Sequence, residues 1–425
     1  MAHMAPEEYL PAPIPLEHIH ELLASLGLPK AETITVPDVT ATYHAIYRIR
    51  LEAPVPADKV AIACEDALLT DNQARDLILR VSGNHLPGIK TRNEVGIMAW
   101  VAQQSKRGAA LAPIPIPSVV AYDDTLDNPL QHEYTLLSRA RGEALCDVWP
   151  SLGAEQRDAV FDQIMDLLVT LHGNEEPWSH IGGLNIVDGH VLPARLVDEA
   201  FWQTGSLHLW PPGETIDSLN LRGPYPSWPA LVAAQVRHYA KLIGLHESLA
   251  GLRARLVPRL LAFAELLERP ASEHPACWQL AKTRLVLAHK DLHFANLLYS
   301  ATDEDGKTGR ITAVLDWEFS GVVPGPLWNP VRAFLWDAQP DDPDHSATTS
   351  TRVAQFADRV RARNDPRVAS LVLDIQDYAS PQQEAMQDVA NYVRALVEVG
   401  PRGQRQDRAA DWTDIAHKNL DVFGV

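Results

Sequence analysis

Leu285-Val286-Leu287-Ala288-His289-Lys290-Asp291-Leu292-His293-Phe294-Ala295-Asn296-Leu297-Leu298-Tyr299, followed eleven residues later by Ile311-Thr312-Ala313-Val314-Leu315-Asp316-Trp317-Glu318, is the stretch whose reading decides the fold. Leu285–Ala288, Leu297–Tyr299 and Ile311–Leu315 are short apolar runs of strand length. The polar turn from Ser300 to Arg310, with Asp305-Gly306 inside it, predicts that the last two runs form a hairpin. Asn296 stands at the start of one strand and Asp316 just past the end of the other, so pairing brings them to one point. One oxygen from each suits a hard cation such as Mg²⁺, which takes a few protein oxygens and completes its shell with water and phosphate. Asp291, five residues before Asn296, falls on the loop facing that point, where a carboxylate can accept a hydroxyl proton.

Working outward, the N-terminal part reads as mixed β. A short helix is expected at 17–27, with Ile19, Leu22, Leu23 and Leu26 at helical spacing and Gly27 closing it. Strands follow at Ile34 to Val36, Tyr43 to Leu51 and Leu77 to Val81, with a loop insertion expected over 53–72. Residues 92–104 have the stripe of one helix, carrying Glu94 in its first turn. Alternate prolines from Pro113 to Pro117 forbid helix and lead into strands at 118–122 and 134–137. From about Gly142 the pattern turns helical, with Val160, Ile164, Leu167 and Leu171 forming one stripe of a helix over 154–172. Residues 173–230, rich in Gly, Pro and Trp, read as an irregular insert on the substrate side, and helices return at 229–268 and over much of 351–420. Trp202, Trp210 and Trp228 are expected to pack rather than to form a stacking platform. The division expected is 1–138 for a nucleotide-side lobe and 139–425 for a helical lobe holding the hairpin.

The 425 residues carry a formal net charge of −18, which argues against a nucleic-acid partner, because phosphate binding needs clustered Lys and Arg. Cys64, Cys146 and Cys277 are far apart and odd in number, so neither a disulfide framework nor a structural zinc site is indicated. No run of about 18 apolar residues marks a membrane span, and Met1 to Met4 lacks the apolar segment of a targeting signal. A soluble chain in the cytoplasm is expected.

The pattern His289-x-Asp291-x-x-x-x-Asn296, followed by Asp316 after the next strand, resembles the aminoglycoside phosphotransferase and choline-kinase-like superfamily of small-molecule kinases. The resemblance implies an α+β, bilobal, protein-kinase-like fold with a small β-rich N-lobe and a larger, mostly helical C-lobe. It also implies ATP and Mg²⁺ as cofactors, and transfer of a phosphoryl group to a hydroxyl of a small molecule. Asp291 then corresponds to the catalytic base, and Asn296 and Asp316 to the metal ligands. His289 belongs to the catalytic loop, and is expected to hold it by hydrogen bonding more than to do chemistry. Leu77 to Val81 looks like the family's third strand, putting Arg80 where Lys usually grips the α- and β-phosphates and Glu94 where the helix glutamate pairs with it. Tyr134 to Gly142 looks like the hinge, with backbone groups of about Ser138 to Ala140 toward adenine. Pro324 to Trp336 is similar to fungal members. The turn Pro37-Asp38-Val39-Thr40-Ala41-Thr42 departs from the family in lacking glycine, so its backbone cannot approach phosphates as a Gly-rich loop does.

His293 and Glu318 are candidate substrate contacts, or else bridges between loops. Two other readings compete. A kinase-shaped nucleotide-binding protein without phosphotransfer is favoured by the glycine-free turn. A metal-dependent hydrolase is suggested by the alternation of His289, Asp291 and His293, which on a strand would face one side. The family's acceptors include aminoglycosides, macrolides, choline, homoserine and sugars. An acidic lining drawn from Asp198, Glu199, Glu214 or Asp217 would suit an amine-bearing alcohol.

Overall fold

In the computed structural model the described residues are 10–37, 43–64, 75–107, 113–174, 176–269, 280–301, 309–329 and 345–425. A small β-rich lobe stands on a larger, mostly helical one, the bilobal protein-kinase-like arrangement. The small lobe opens with α1 (Leu16–Ser25) and holds β1 (Ala31–Thr35), β2 (His44–Leu51), β3 (Asp76–Ser82), α2 (Lys90–Arg107), β4 (Val119–Asp123) and β5 (Tyr134–Ser138). Its sheet runs β1-β2-β3-β5-β4, antiparallel throughout.

Side chains alternate across a strand, so register decides which chemistry faces which way. Leu79 lies opposite Tyr47 and Leu136, and this face buries Ile49, Leu51, Leu77 and Val81 against Ile19, Leu22 and Leu23 of α1. Arg80 lies opposite Ile46 and Thr135 on the other face, which His44 shares. α2 covers that second face. The sheet therefore buries apolar side chains on one side and, on the other, places Arg80 and His44 at the lobe junction.

The larger lobe begins with β6 (Glu143–Ala144), α3 (Leu145–Val148) and α4 (Ala154–His172). The 173–230 segment expected to be irregular contains a hairpin, β7 (Gly183–Val187) with β8 (His190–Ala194), and a short α5 (Ile216–Leu219). The tight Asp188-Gly189 turn, both residues at positive φ, makes that hairpin possible. α6 (Trp228–Leu245) and α7 (Val257–Leu267) follow. The predicted catalytic hairpin is β10 (Leu297–Ser300) with β11 (Arg310–Val314), preceded by β9 (Leu285–Ala288), which pairs with β12 (Gly321–Pro324). The chain ends in α8 (His345–Ala362), α9 (Pro366–Val372), α10 (Pro381–Arg402) and α11 (Ala409–Asp421). Trp202, Trp210 and Trp228 are buried with α6, α7, α10 and α11 in one core, and the Trp228 indole N–H donates to Gln387 at 2.9 Å.

The two lobes meet where α2 lies on β7. Asn93 of α2 accepts the Leu184 N–H at 3.1 Å, and a Cβ on Gly96 would collide with the Leu184 carbonyl. Glycine is required there by proximity and not by an unusual φ. Gly96→Ala is expected to push α2 off the hairpin and to cost about 1–3 kcal/mol, the usual penalty for overpacking. A thermal melt should show the loss, and an unchanged melting temperature would refute so close an approach.

Candidate active site

The loop from His289 to Asn296 is built from backbone outward. His289 is fully buried, and its Nε2–H donates to the Leu315 carbonyl at 2.8 Å while Nδ1 accepts the Asp291 N–H at 3.3 Å. Both ring nitrogens are thus spent on holding the loop to the end of β11. The ring also packs on Trp317. Burial lowers its pKa, against the raising effect of Asp291, so the neutral ring with one N–H and one lone pair matches its two partners. With both nitrogens so engaged, neither is left for a transition metal.

The Asp291 side chain is part-exposed, at 35%. Asn296 donates its amide to the Asp291 carbonyl at 2.9 Å and to Oδ2 at 3.0 Å, and His293 Nε2 lies 3.4 Å from Oδ1. Burial pushes the Asp291 pKa up, but the hydrogen bonds and charge of His293 and Asn296 prevail and hold it below the usual carboxylate range. For His293 burial works downward, and the Asp291 carboxylate outweighs it to raise the pKa. His293 is therefore a partner of Asp291.

Asn296 and Asp316 end up at the same end of the hairpin, as expected: the Leu315 N–H donates to the Asn296 carbonyl at 2.8 Å. Asp316 adopts a left-handed backbone, φ 65°, as does Lys290 at φ 64°. Such residues away from glycine are uncommon and cluster at functional sites. From the opposite wall Arg80 donates to Asp316 Oδ1 at 2.7 Å and pairs through its other nitrogen with Glu94. Burial works against the guanidinium charge, and Glu94, Asp316 and Glu318 more than offset it, raising its pKa. Glu94 is buried, and desolvation raises its pKa despite Arg80.

The donor set fits a hard cation. Asn296 turns its amide nitrogen to Asp291, which leaves the amide oxygen and the Asp316 carboxylate as oxygen donors on neighbouring positions. Among the described residues no group of three or more His, Cys, Asp or Glu is placed to hold a metal ion. That geometry is not the one a His-rich hydrolase centre needs.

Comparison with known proteins gives a family. The model of the phosphotransferase enzyme family, APH, matches residues 66–324. The chain belongs to this family. A subtelomeric hrmA-associated cluster protein of Aspergillus fumigatus is 36% identical over 58 residues, which is 14% of this chain and 11% of that protein. The matched segment thus spans about a tenth of the curated relative's length. Among solved structures, APH(2")-IIa in complex with gentamicin aligns over 96% of this chain and 97% of its own at 11% identity and TM-score 0.45. A thermostable mutant of aminoglycoside phosphotransferase APH(4)-Ia, in ternary complex with ADP and hygromycin B, aligns over 94% and 96% at 14% identity and TM-score 0.40. Choline kinase LicA from Streptococcus pneumoniae aligns over 96% and 99% at 12% identity and TM-score 0.38.

Other expected members of the site stand as follows in this phosphotransferase-family chain. Ser138 ends β5, where its N–H donates to the Ser118 carbonyl and its hydroxyl accepts the Ser118 N–H, both at 2.9 Å. The Arg139 N–H goes to the Asp76 carbonyl at 2.9 Å. Sheet pairing thus takes the first two amide donors of the expected hinge, and Ala140 is the first residue past β5 and Arg139. Glu318 does not face an acceptor: it is 1% exposed and receives Lys90 Nζ at 2.9 Å. Residues 38–42 of the glycine-free turn and 330–336 of the fungal-like stretch lie outside the described residues.

Asn93 and His44 were missed by sequence reasoning, and so was the placement of Lys90. Lys90 was left outside a helix expected to start at residue 92, whereas α2 starts at Lys90 itself. Lys90, Asn93 and Glu94 then share one face at i, i+3 and i+4, and all are buried at 0%, 3% and 1% exposure. A polar triplet on one helical face was the available signal, and it reads by default as solvated. His44 lies with Nδ1 3.3 Å from Arg80 and Nε2 3.0 Å from Lys90.

Arg80→Ala is expected to raise the KM for nucleotide more than that for an acceptor, and Arg80→Lys to be tolerated in part because it keeps charge but loses the fork. Steady-state kinetics with each substrate varied in turn measures the split. An unchanged nucleotide KM would assign phosphate binding to another cation.

Proposed function

We propose that the chain is an ATP- and Mg²⁺-dependent phosphotransferase that moves the γ-phosphoryl group to a hydroxyl of a small molecule. The observation that carries this reading is the gathering of Asp291, Asn296 and Asp316 at one end of the β10–β11 hairpin, under the Arg80 guanidinium of the other lobe. Residues 1–138 form the nucleotide side in this proposal, and 139–425 the catalytic and acceptor side.

Arg80 binds and orients phosphate oxygens with a two-pronged, permanently charged donor. Asn296 and Asp316 offer oxygens to Mg²⁺, which when bound neutralises charge on the phosphates. Asp291, ionised at neutral pH and held by Asn296 and His293, accepts the proton of the acceptor hydroxyl as its oxygen bonds to the γ-phosphorus and the bond to ADP breaks. His289 fixes the loop so that the Asp291 carboxylate keeps this aim.

A screen of metabolite pools for an ATP-dependent mass gain of one phosphoryl group identifies the acceptor. With that acceptor, Asp291→Asn is expected to lower kcat by about 10²–10⁴-fold, the usual worth of general-base help, with ATP affinity nearly unchanged. Full kcat in Asp291→Asn would show the mechanism to be wrong at its centre. Nucleotide binding with no turnover of any pool would favour a binding protein of kinase shape.

A further inference from the structure

Five charged side chains and one imidazole form a continuous chain across the lobe junction, buried except at Asp316. Asp316 meets Arg80 at 2.7 Å, Arg80 meets His44 Nδ1 at 3.3 Å, His44 Nε2 meets Lys90 Nζ at 3.0 Å, and Lys90 meets Glu318 Oε2 at 2.9 Å. Glu94 closes the other side of Arg80. Arg80 and Lys90 have donors only, so His44 between them is neutral and can accept from one of them. Burial, then Arg80 and Lys90, lower its pKa well below the usual imidazole range. His44 thus acts as an uncharged spacer between two cations.

The cations are not interchangeable. Arg80 is shared between Glu94 and the 33%-exposed Asp316 side chain, so it stands at the open edge of the cluster. Lys90 is almost wholly buried and its ammonium is engaged by the equally buried Glu318. What Lys90 does hold is the segment just beyond Asp316. Its neighbour on α2, Asn93, donates to the backbone carbonyls of Glu318 at 2.9 Å and Ser320 at 2.8 Å. Ser320 in turn donates its hydroxyl to the His289 carbonyl at 2.9 Å. One helix therefore grips residues 318–320 by a side chain and two carbonyls, directly after a left-handed Asp316 whose conformation needs outside support.

We propose that Lys90 and Asn93 of α2, acting on Glu318, form a clamp that positions Asp316 for the cation, making Lys90 and Glu318 positioning residues of the metal site. The inference rests on the reading of Asp316 as a metal ligand. It assigns to a buried ion pair a task in function, whereas a pair serving stability alone could be replaced by neutral groups of similar volume at little cost. Partners one step removed from a metal ligand typically change metal affinity or activity by about 10–100-fold when lost.

The test uses the full chain and the non-hydrolysable nucleotide AMP-PNP, titrated calorimetrically at a series of Mg²⁺ concentrations. Lys90→Met alone leaves Glu318 buried without its cation and is expected to lower the melting temperature. The double variant Lys90→Met, Glu318→Gln removes both charges and is expected to regain most of that stability. The Mg²⁺ concentration for half-maximal AMP-PNP binding should nevertheless rise about 10-fold in the double variant, the low end of the range above, with Mg²⁺-free affinity unchanged. Glu318→Gln alone, the mildest change, should shift the same concentration in the same direction. A Mg²⁺ requirement equal to the parent's in the Glu318→Gln protein and in the double variant overturns the clamp and leaves the phosphotransferase reading standing. Absence of any Mg²⁺-dependent AMP-PNP binding by the parent overturns both.

Discussion

The shared guanidinium of Arg80 is the interaction on which the rest of the site depends. It joins β3 to α2 through Glu94, 14 residues on, and to the end of the β10–β11 hairpin through Asp316, 236 residues on. Removing a partner from a buried ion pair leaves an uncompensated charge and is far costlier than never having built the pair. The three segments must therefore arrive together. The sheet register that turns Arg80 and His44 away from the α1 core, and the helix start that puts Lys90, Asn93 and Glu94 on one face, are the conditions for that arrival.

Three carboxylates, Glu94, Asp316 and Glu318, face two cations, Arg80 and Lys90. Burial raises the pKa of Glu318 to about 7, and Asp316 and Glu94 add to it against the pull of Lys90 and Arg80, so excess negative charge in the cluster is disfavoured. A low-dielectric junction strengthens each such interaction and makes each unpaired group expensive. Asp316 has the most exposed carboxylate of the three and shares its cation with Glu94. It is accordingly the member able to trade Arg80 for another cation at the smallest cost, while Glu94 and Glu318 keep their partners inside.

What could be read in the sequence was what lies close along the chain. His289, Asp291, Asn296 and Asp316 share one loop and one hairpin, and alternation with turn residues suffices to place them. The stripe of α4 was legible for the same reason, and its expected span of 154–172 is the observed one. The Lys90 to Glu318 pair spans 228 residues, and neither member carries a local signature. The hairpin inside 173–230 was hidden by a compositional reading: Gly, Pro and Trp suggested irregularity, yet Asp188-Gly189 is a turn signal between short strands that were overlooked. The separation of Glu318 from any acceptor likewise depended on burial, which no local pattern around Asp316-Trp317-Glu318 reveals.

The same distinction between presence and placement governs the acidity of the insert. Asp217 is paired with Arg195 at 2.8 Å and Arg222 at 3.1 Å, and Glu214 accepts the Ser218 hydroxyl at 2.5 Å. Burial raises the pKa of Asp198, but Lys290 and Arg394 outweigh it and bring the pKa below the usual carboxylate value. Lys290 sits beside Asp291 and donates to the Val197 carbonyl at 2.8 Å, so it ties the Asp291 loop to the insert. Asp198, Glu214 and Asp217, offered above as lining for a cationic acceptor site, are thus engaged within the fold. Their charge is spent on holding the insert and the loop in register, and a net charge of −18 gives no reason of its own to expect a cationic acceptor.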